Sequence, residues 1–106
     1  DQALLAARGK PVLVDFYADW CVSCIEFERK TLSDPQVQTA LKDVVLLRAD
    51  VTQNSPDDAA LLARFGLFGP PAILFFDRNG QEIKPRVIGF QDPAAFMQSL
   101  QVLGAK

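Results

Sequence analysis

The hydrophobic pattern splits the chain into continuous apolar runs and amphipathic stretches. Residues 11–17 (Pro-Val-Leu-Val-Asp-Phe-Tyr) are apolar at odd and even positions alike and are broken by one acid. That pattern predicts a central strand buried on both faces. Residues 44–51 form a second apolar strand and 72–76 (Ala-Ile-Leu-Phe-Phe) a third. Residues 83–90 make a fourth, joined to the third through Asp77-Arg78-Asn79-Gly80, where Asn-Gly signals a hairpin.

Helical patterns fill the intervals. Residues 2–8 read as a helix stopped by Gly9, and residues 21–31 as another. Ser33-Asp34-Pro35 restarts a helix that runs to about 41, with Pro35 in its first turn. Ser55-Pro56-Asp57-Asp58 supplies an N-cap, a first-position proline and first-turn acids for a helix ending near Phe65-Gly66. Asp92-Pro93 opens the last helix, with Phe96, Leu100 and Leu103 on one face. Strands alternating with helices imply parallel pairing through crossovers, and the hairpin adds an antiparallel pair. The expected product is an α/β fold, a mixed central sheet with helices on both faces.

Composition narrows the reading. The 106 residues suit a single domain spanning 1–106, and with 49% hydrophobic residues a core forms without staples. The two cysteines are therefore spare for chemistry. Thirteen acids and eleven bases lie interleaved, which argues against nucleic acid or an anionic membrane surface as partner. No apolar stretch approaches the ~20 residues of a membrane span, and no signal peptide is present. Asp1 opens directly into the amphipathic run Gln2-Ala3-Leu4-Leu5-Ala6-Ala7, so the chain is expected to be a domain excised from a longer protein. The remainder of that protein is expected to hold any targeting or membrane segment, and the isolated domain to be monomeric.

Cys21-Val22-Ser23-Cys24 holds both cysteines, between an apolar strand and a helix. That context puts Cys21 at a helix N-terminus, where free N–H groups and the dipole favour a thiolate. Cys24 lies one turn along the same face, within disulfide reach. A bridge over two intervening residues closes too small a loop to be mainly structural. Zinc needs about four N or S ligands, and this chain has no histidine. Two inert thiols would not explain the strand-to-helix placement. Reversible dithiol/disulfide exchange fits best, with Cys21 attacking and Cys24 resolving. No cofactor beyond the dithiol and no metal is expected.

Other residues stand out around it. Asp15 is the lone acid in an apolar strand, and a buried carboxyl with a raised pKa relays protons. Glu28 follows Cys24 by four residues on the same helix face; the alternative is a solvated residue paired with Arg29 or a lysine. Tyr17 and Trp20 pack around the dithiol, or are ordinary core and rim aromatics. Gly89, within a strand, would allow close backbone approach in a partner groove. Asp50-Val-Thr52-Gln-Asn54 with Asp57 and Asp58 lacks the glycine and terminal glutamate of a calcium loop, so capping explains it better.

At this point the residues resemble a known family. Phe16-Tyr17-Ala18-Asp19-Trp20-Cys21-x-x-Cys24 is similar to the active-site run of the thioredoxin family, and Phe68-Gly69-Pro70-Pro71-Ala72 falls where that family carries its cis-proline loop. The longer run from Tyr17 to Glu28, then Ser33-Asp34-Pro35-Gln36-Val37 and Ala49-Asp50-Val51-Thr52, resembles the C-terminal periplasmic domain of bacterial inner-membrane thiol:disulfide interchange proteins. The resemblance implies a thioredoxin fold and a cis bond at Pro71, with Pro70 and Pro71 facing the partner. It also implies a buried acid at Asp15. The activity it implies is a periplasmic electron relay, taking electrons from a membrane domain to another domain of the same protein. From there they reach disulfide isomerases and cytochrome c maturation proteins. One departure is that the family's residue before the cis-proline offers both backbone groups to an extended partner, whereas Pro70 has no N–H.

Three other readings stay open: an oxidant or isomerase of the same fold, a cytochrome c maturation reductase, and a redox-inactive docking module. Asp15, Asp19, Glu26 and Glu28 lie within seven residues of the dithiol, with Arg29 the nearest base in sequence. Nearby negative charge disfavours a thiolate, so a reductant is expected.

Overall fold

The computed structural model describes residues 9–101, the side chain of Pro85 aside. The helix read at 2–8 and the contribution of Leu103 lie outside the described residues. Four strands, β1 (Val12–Tyr17), β2 (Val45–Asp50), β3 (Ala72–Phe76) and β4 (Glu82–Ile88), form one sheet in the order β2-β1-β3-β4. β1 pairs parallel with β2 and antiparallel with β3, and β3 pairs antiparallel with β4. The mixed sheet follows the sequence reading.

β1 and β3 are central and buried on both faces, as their apolar runs require, with Asp15 of β1 the one half-buried position. β2 differs from its reading as a plain apolar strand. It is an edge strand whose residues alternate between half-buried and exposed, and Leu46 is 57% exposed. Its half-buried positions are the apolar Val45, Leu47 and Ala49, while Arg48 and Asp50 share the exposed side with Leu46, as suits a strand paired on one side among the described residues. β4 is the other edge. Its register shifts between Ile73 and Phe75, opposite a stretch containing Pro85. A proline without N–H fits an irregular edge ladder. The Asp77–Gly80 turn closes the hairpin, with Gly80 N–H donating to Asp77 O at 3.0 Å. Gly80 takes φ 81°, whereas Asn79 keeps a negative φ, so the turn is not the doubly left-handed Asn-Gly type. Asp77 Oδ1 instead accepts from Asn79 and Gln81 N–H (2.8 and 3.0 Å) and holds the loop.

The helices begin where their caps predict. Asp34 Oδ1 accepts from Gln36 and Val37 N–H ahead of α2 (Pro35–Ala40). Ser55 and Asp58 form a reciprocal capping box at α3 (Pro56–Arg64), which ends before Gly66 at φ 69°. Asp92 caps α4 (Pro93–Ser99) through Ala95 N–H at 2.8 Å. The first helix departs from a uniform α pattern. α1 is only Val22–Glu26, and the chain continues as a π-helical segment over Phe27–Leu32.

Two apolar layers flank the sheet. One joins Val12, Val14, Phe16, Leu74 and Phe76 to Leu62, Val51 and both cysteines, with Phe65 packed against it. The other joins Leu13, Ile73, Phe75 and Val87 to Phe27, Val37, Leu41, Phe96 and Leu100. Edge-to-face contacts of Phe27 with Phe96 (5.1 Å) and of Phe16 with Phe65 (5.9 Å) tie helices and loops to each side.

Candidate dithiol site

The site grows from the end of β1. The strand carries Phe16 and Tyr17 into the core, the chain turns through residues 18–20, and Cys21 becomes the N-cap of α1. Cys21 and Cys24 are joined in a disulfide. Cys24 N–H donates to Cys21 Sγ at 3.1 Å, and Cys24 Sγ lies 3.8 Å from Phe16 O. The N-cap position thus aims a helix N–H at the first sulfur, as a developing thiolate requires. Cys21 is 7% exposed and Cys24 2%. Both are buried, Cys24 the more deeply. Cys21 is nonetheless more enclosed than a loop position suggests, because Tyr17, Ala18 and Ala72 share its cluster.

Asp15 belongs to the other face of β1 and is half-buried. Its carboxyl is pushed up to about 7, first by burial, then by the charge of Glu28 and a hydrogen bond with it, while Arg48 pulls it down. Glu28 comes from the π-helical segment. Its partner is neither Arg29 nor a lysine. Arg48 of β2 reaches it with Nε to Oε2 at 3.2 Å and Nη2 to Oε1 at 3.4 Å. The guanidinium also lies 3.7 Å above the Tyr17 ring. Asp15 and Arg48 are register partners across β1 and β2.

Asp15, Glu28 and Arg48 therefore form one charged cluster over the Tyr17 ring, and two of the four acids counted near the dithiol have basic partners in space. Glu28 has Arg48, and Glu26 has Lys30 at 3.1 Å. Asp19 takes a hydrogen bond from the Tyr17 hydroxyl, which holds that phenol above its ordinary value.

Arg48 is the site residue that the sequence reading missed. Its signal was present as the single base in an apolar strand run, but its meaning depended on strand register. Thr52 was missed as well. Its backbone O accepts from Trp20 Nε1 and its Oγ1 from Asp19 N–H, both at 2.9 Å. Asp50 Oδ1 in turn accepts from Thr52 N–H at 2.9 Å and from its hydroxyl. The stretch that faintly resembles a calcium loop is thus a buttress for the active-site turn, and no acid cluster fit for a metal occurs among the described residues. Trp20, 58% exposed, stands on the rim, whereas Tyr17 is buried beside the dithiol.

The Pro70–Pro71 bond is cis. Pro71 O accepts from Gly89 N–H at 3.3 Å, which ties this loop to the residue after β4. Gly89 is therefore past the strand rather than in it. A Cβ there would meet nothing within 4 Å, so close approach is not why glycine occurs; its φ of 88° is. Val22, Phe68, Ile88 and Phe90 are exposed apolar side chains that neighbour Cys21, the proline loop and Gly89 in sequence, and Trp20 is exposed as well.

Comparison with known proteins agrees with this geometry. The thioredoxin-like family profile matches residues 1–78. The thiol:disulfide interchange protein DsbD of Ralstonia nicotianae is 56% identical over 103 residues, and that of Escherichia coli K12 is 56% identical over 102. The match covers 95% of this chain in both cases, but this chain spans only 17% and 18% of those relatives. The crystal structure of the oxidised C-terminal domain of Neisseria meningitidis DsbD superposes with a TM-score of 0.80 at 37% identity, covering 94% of this chain and 85% of that one. With the Cys21–Cys24 disulfide at a helix N-cap, the cis Pro70–Pro71 bond and the mixed sheet in place, the chain belongs to the thioredoxin-like family, among the C-terminal domains of DsbD.

Proposed function

We propose that the chain is a protein-disulfide reductase that relays electron pairs by dithiol/disulfide exchange. The observation that carries this reading is the Cys21–Cys24 pair at the N-cap of α1, in a chain so similar to DsbD. In the reduced state the Cys21 thiolate attacks a partner disulfide, and one partner sulfur leaves as a thiolate. Cys24 then gives up its proton, attacks Cys21 Sγ and displaces the second partner sulfur. Two electrons pass to the partner and the domain is left as the disulfide seen here. Asp15, with its carboxyl near 7, is suited to take the Cys24 proton and return it to the departing thiolate at neutral pH.

Trp20, Tyr17, Pro70, Pro71 and Gly89 form the partner side of the site in this reading. Pro70 offers a carbonyl but no N–H, so an extended partner gains one fewer main-chain bond and relies more on exposed apolar side chains. By analogy with the relatives, the electron donor is a membrane domain of the same longer protein. The recipients are periplasmic thiol–disulfide proteins, including those of cytochrome c biogenesis. Among the described residues no helix is long and apolar enough to cross a membrane.

Equilibration against dithiothreitol and glutathione buffers tests the direction of transfer. A potential near or below the roughly −270 mV of thioredoxin supports a reductant; one near the roughly −120 mV of a strong oxidant refutes it.

A further inference from the structure

We propose that Arg48 is a positioning residue of the redox site, gripping Glu28 from the edge strand and, held there, weakening the hold of Asp15 on the relay proton. This rests on the proton role given to Asp15 above and adds the group that sets how tightly that proton is held.

Two carboxyls placed side by side do not both ionise freely, and one of them keeps a proton. Burial and charge pairing determine which. Asp15 arises from a central strand and is the more deeply desolvated of the two. Glu28 meets a guanidinium through both carboxylate oxygens, at 3.2 and 3.4 Å. Two-point contact with arginine fixes a carboxylate in its charged form and in one orientation. Arg48 therefore fixes the Glu28 carboxyl in one orientation beside Asp15, whose own carboxyl is raised by burial and by Glu28.

Arg48 is itself held. Its guanidinium lies 3.7 Å over Tyr17, and β-sheet register sets its backbone opposite Asp15. It lines a cavity of about 330 Å³ with Asp15, Leu13, Leu32 and Leu46. Asp15 and Arg48 are the charged groups of that lining, whose walls are otherwise apolar apart from Gln38. The charged and titratable groups facing the pair are Tyr17 on β1, Glu28 on the π-helical segment, and Arg48 with Asp50 on β2; β3 presents Ile73 opposite Asp15.

Removing the Arg48 charge removes the one attraction that lowers the Asp15 pKa and leaves the opposing effects of burial and Glu28 in place. The Asp15 midpoint should rise. The test is a carbon-detected NMR titration of the Asp15 carboxyl in the oxidised protein. Arg48→Gln and Arg48→Met should each raise the midpoint by about one pH unit or more, the methionine keeping an aliphatic stem over Tyr17. Arg48→Lys should restore most of the wild-type value. In a Glu28→Gln background, Arg48→Gln should move the Asp15 midpoint by less than half as much, because the guanidinium is no longer held in place by Glu28. An unmoved midpoint in both neutral variants overturns the proposal. So does a change of equal size in the Glu28→Gln background, which would mean that Arg48 does not need Glu28 to hold it beside Asp15. The reductase reading fails in a different measurement, the redox equilibrium of the wild type, so the two failures are separable.

Discussion

At the scale of single residues, the two cysteines have unequal surroundings. Cys21 is the N-cap with a helix N–H on its sulfur, and Cys24 lies deeper against Phe16. Cys24→Ser should accumulate stable mixed disulfides with partner thiols, whereas Cys21→Ser should not; adducts found by mass spectrometry mainly on Cys24 of the Cys21→Ser variant would reverse the assignment. Asp15 makes a second, thermodynamic prediction. Its folded value of about 7 lies above the ordinary 3.8, so between those values the folded chain holds a proton that the unfolded chain has lost. This contribution is fully present below pH 3.8, is lost as pH rises to about 7, and levels off above. Asp15→Asn removes this pH dependence. At about pH 8 the variant should be more stable than wild type by roughly 2–4 kcal/mol, since each pH unit separating the folded and unfolded midpoints is worth ~1.4 kcal/mol, and near pH 4 the difference should vanish. Urea unfolding at the two pH values decides, and a variant no more stable at pH 8 counts against a buried Asp15 proton.

At the scale of elements, the helix ends were the most legible features. A Ser-Pro-Asp-Asp run stops and starts structure by chemistry confined to one turn, and the capping box at Ser55 and Asp58 formed as read. Ser55→Ala should cost about 1 kcal/mol in a denaturant midpoint without altering disulfide exchange; a loss of exchange would show that α3 does more than pack. The first helix was less legible. Nothing in its apolar spacing marks the change to π-helical winding after Glu26, where Phe27 meets Phe90 and Phe96 edge to face. The active-site turn likewise leans on Thr52, thirty-two positions from Trp20. Thr52→Val keeps the volume and the carbonyl but removes the hydroxyl, freeing the Asp19 N–H and one Asp50 contact. Trp20 fluorescence should then report a more mobile indole, and slower exchange with protein disulfides but not with small thiols should accompany it. Unchanged fluorescence and rates would reduce Thr52 to a loop filler.

At the scale of the whole molecule, two apolar layers share one sheet, so neither unfolds alone. Phe75 is fully buried in the layer away from the dithiol, tilted against Phe96 at 6.4 Å. Phe75→Ala should cost about 3–5 kcal/mol. The loss should appear equally in far-ultraviolet dichroism and in the fluorescence of Trp20 on the opposite side of the sheet. Separate transitions for the two probes would mean that the layers are not one cooperative unit.

The elements, their order, the cap positions, the hairpin and the place of the dithiol are all written in local sequence. Each of these rests on patterns that act within a turn of helix or a few residues of strand. Which charges meet is settled only when the chain folds. Asp15, Glu28 and Arg48 come from β1, the π-helical segment and β2, and only the parallel register of β1 and β2 puts Arg48 opposite Asp15. The same holds for Leu46, an apolar residue exposed on edge strand β2 beside Arg48 and Asp50, and for Gly89, whose φ of 88° shows only after β4 has ended. Coulomb interactions depend on distance through space, not along the chain, so a count of acids near Cys21 could not reveal the base that offsets them.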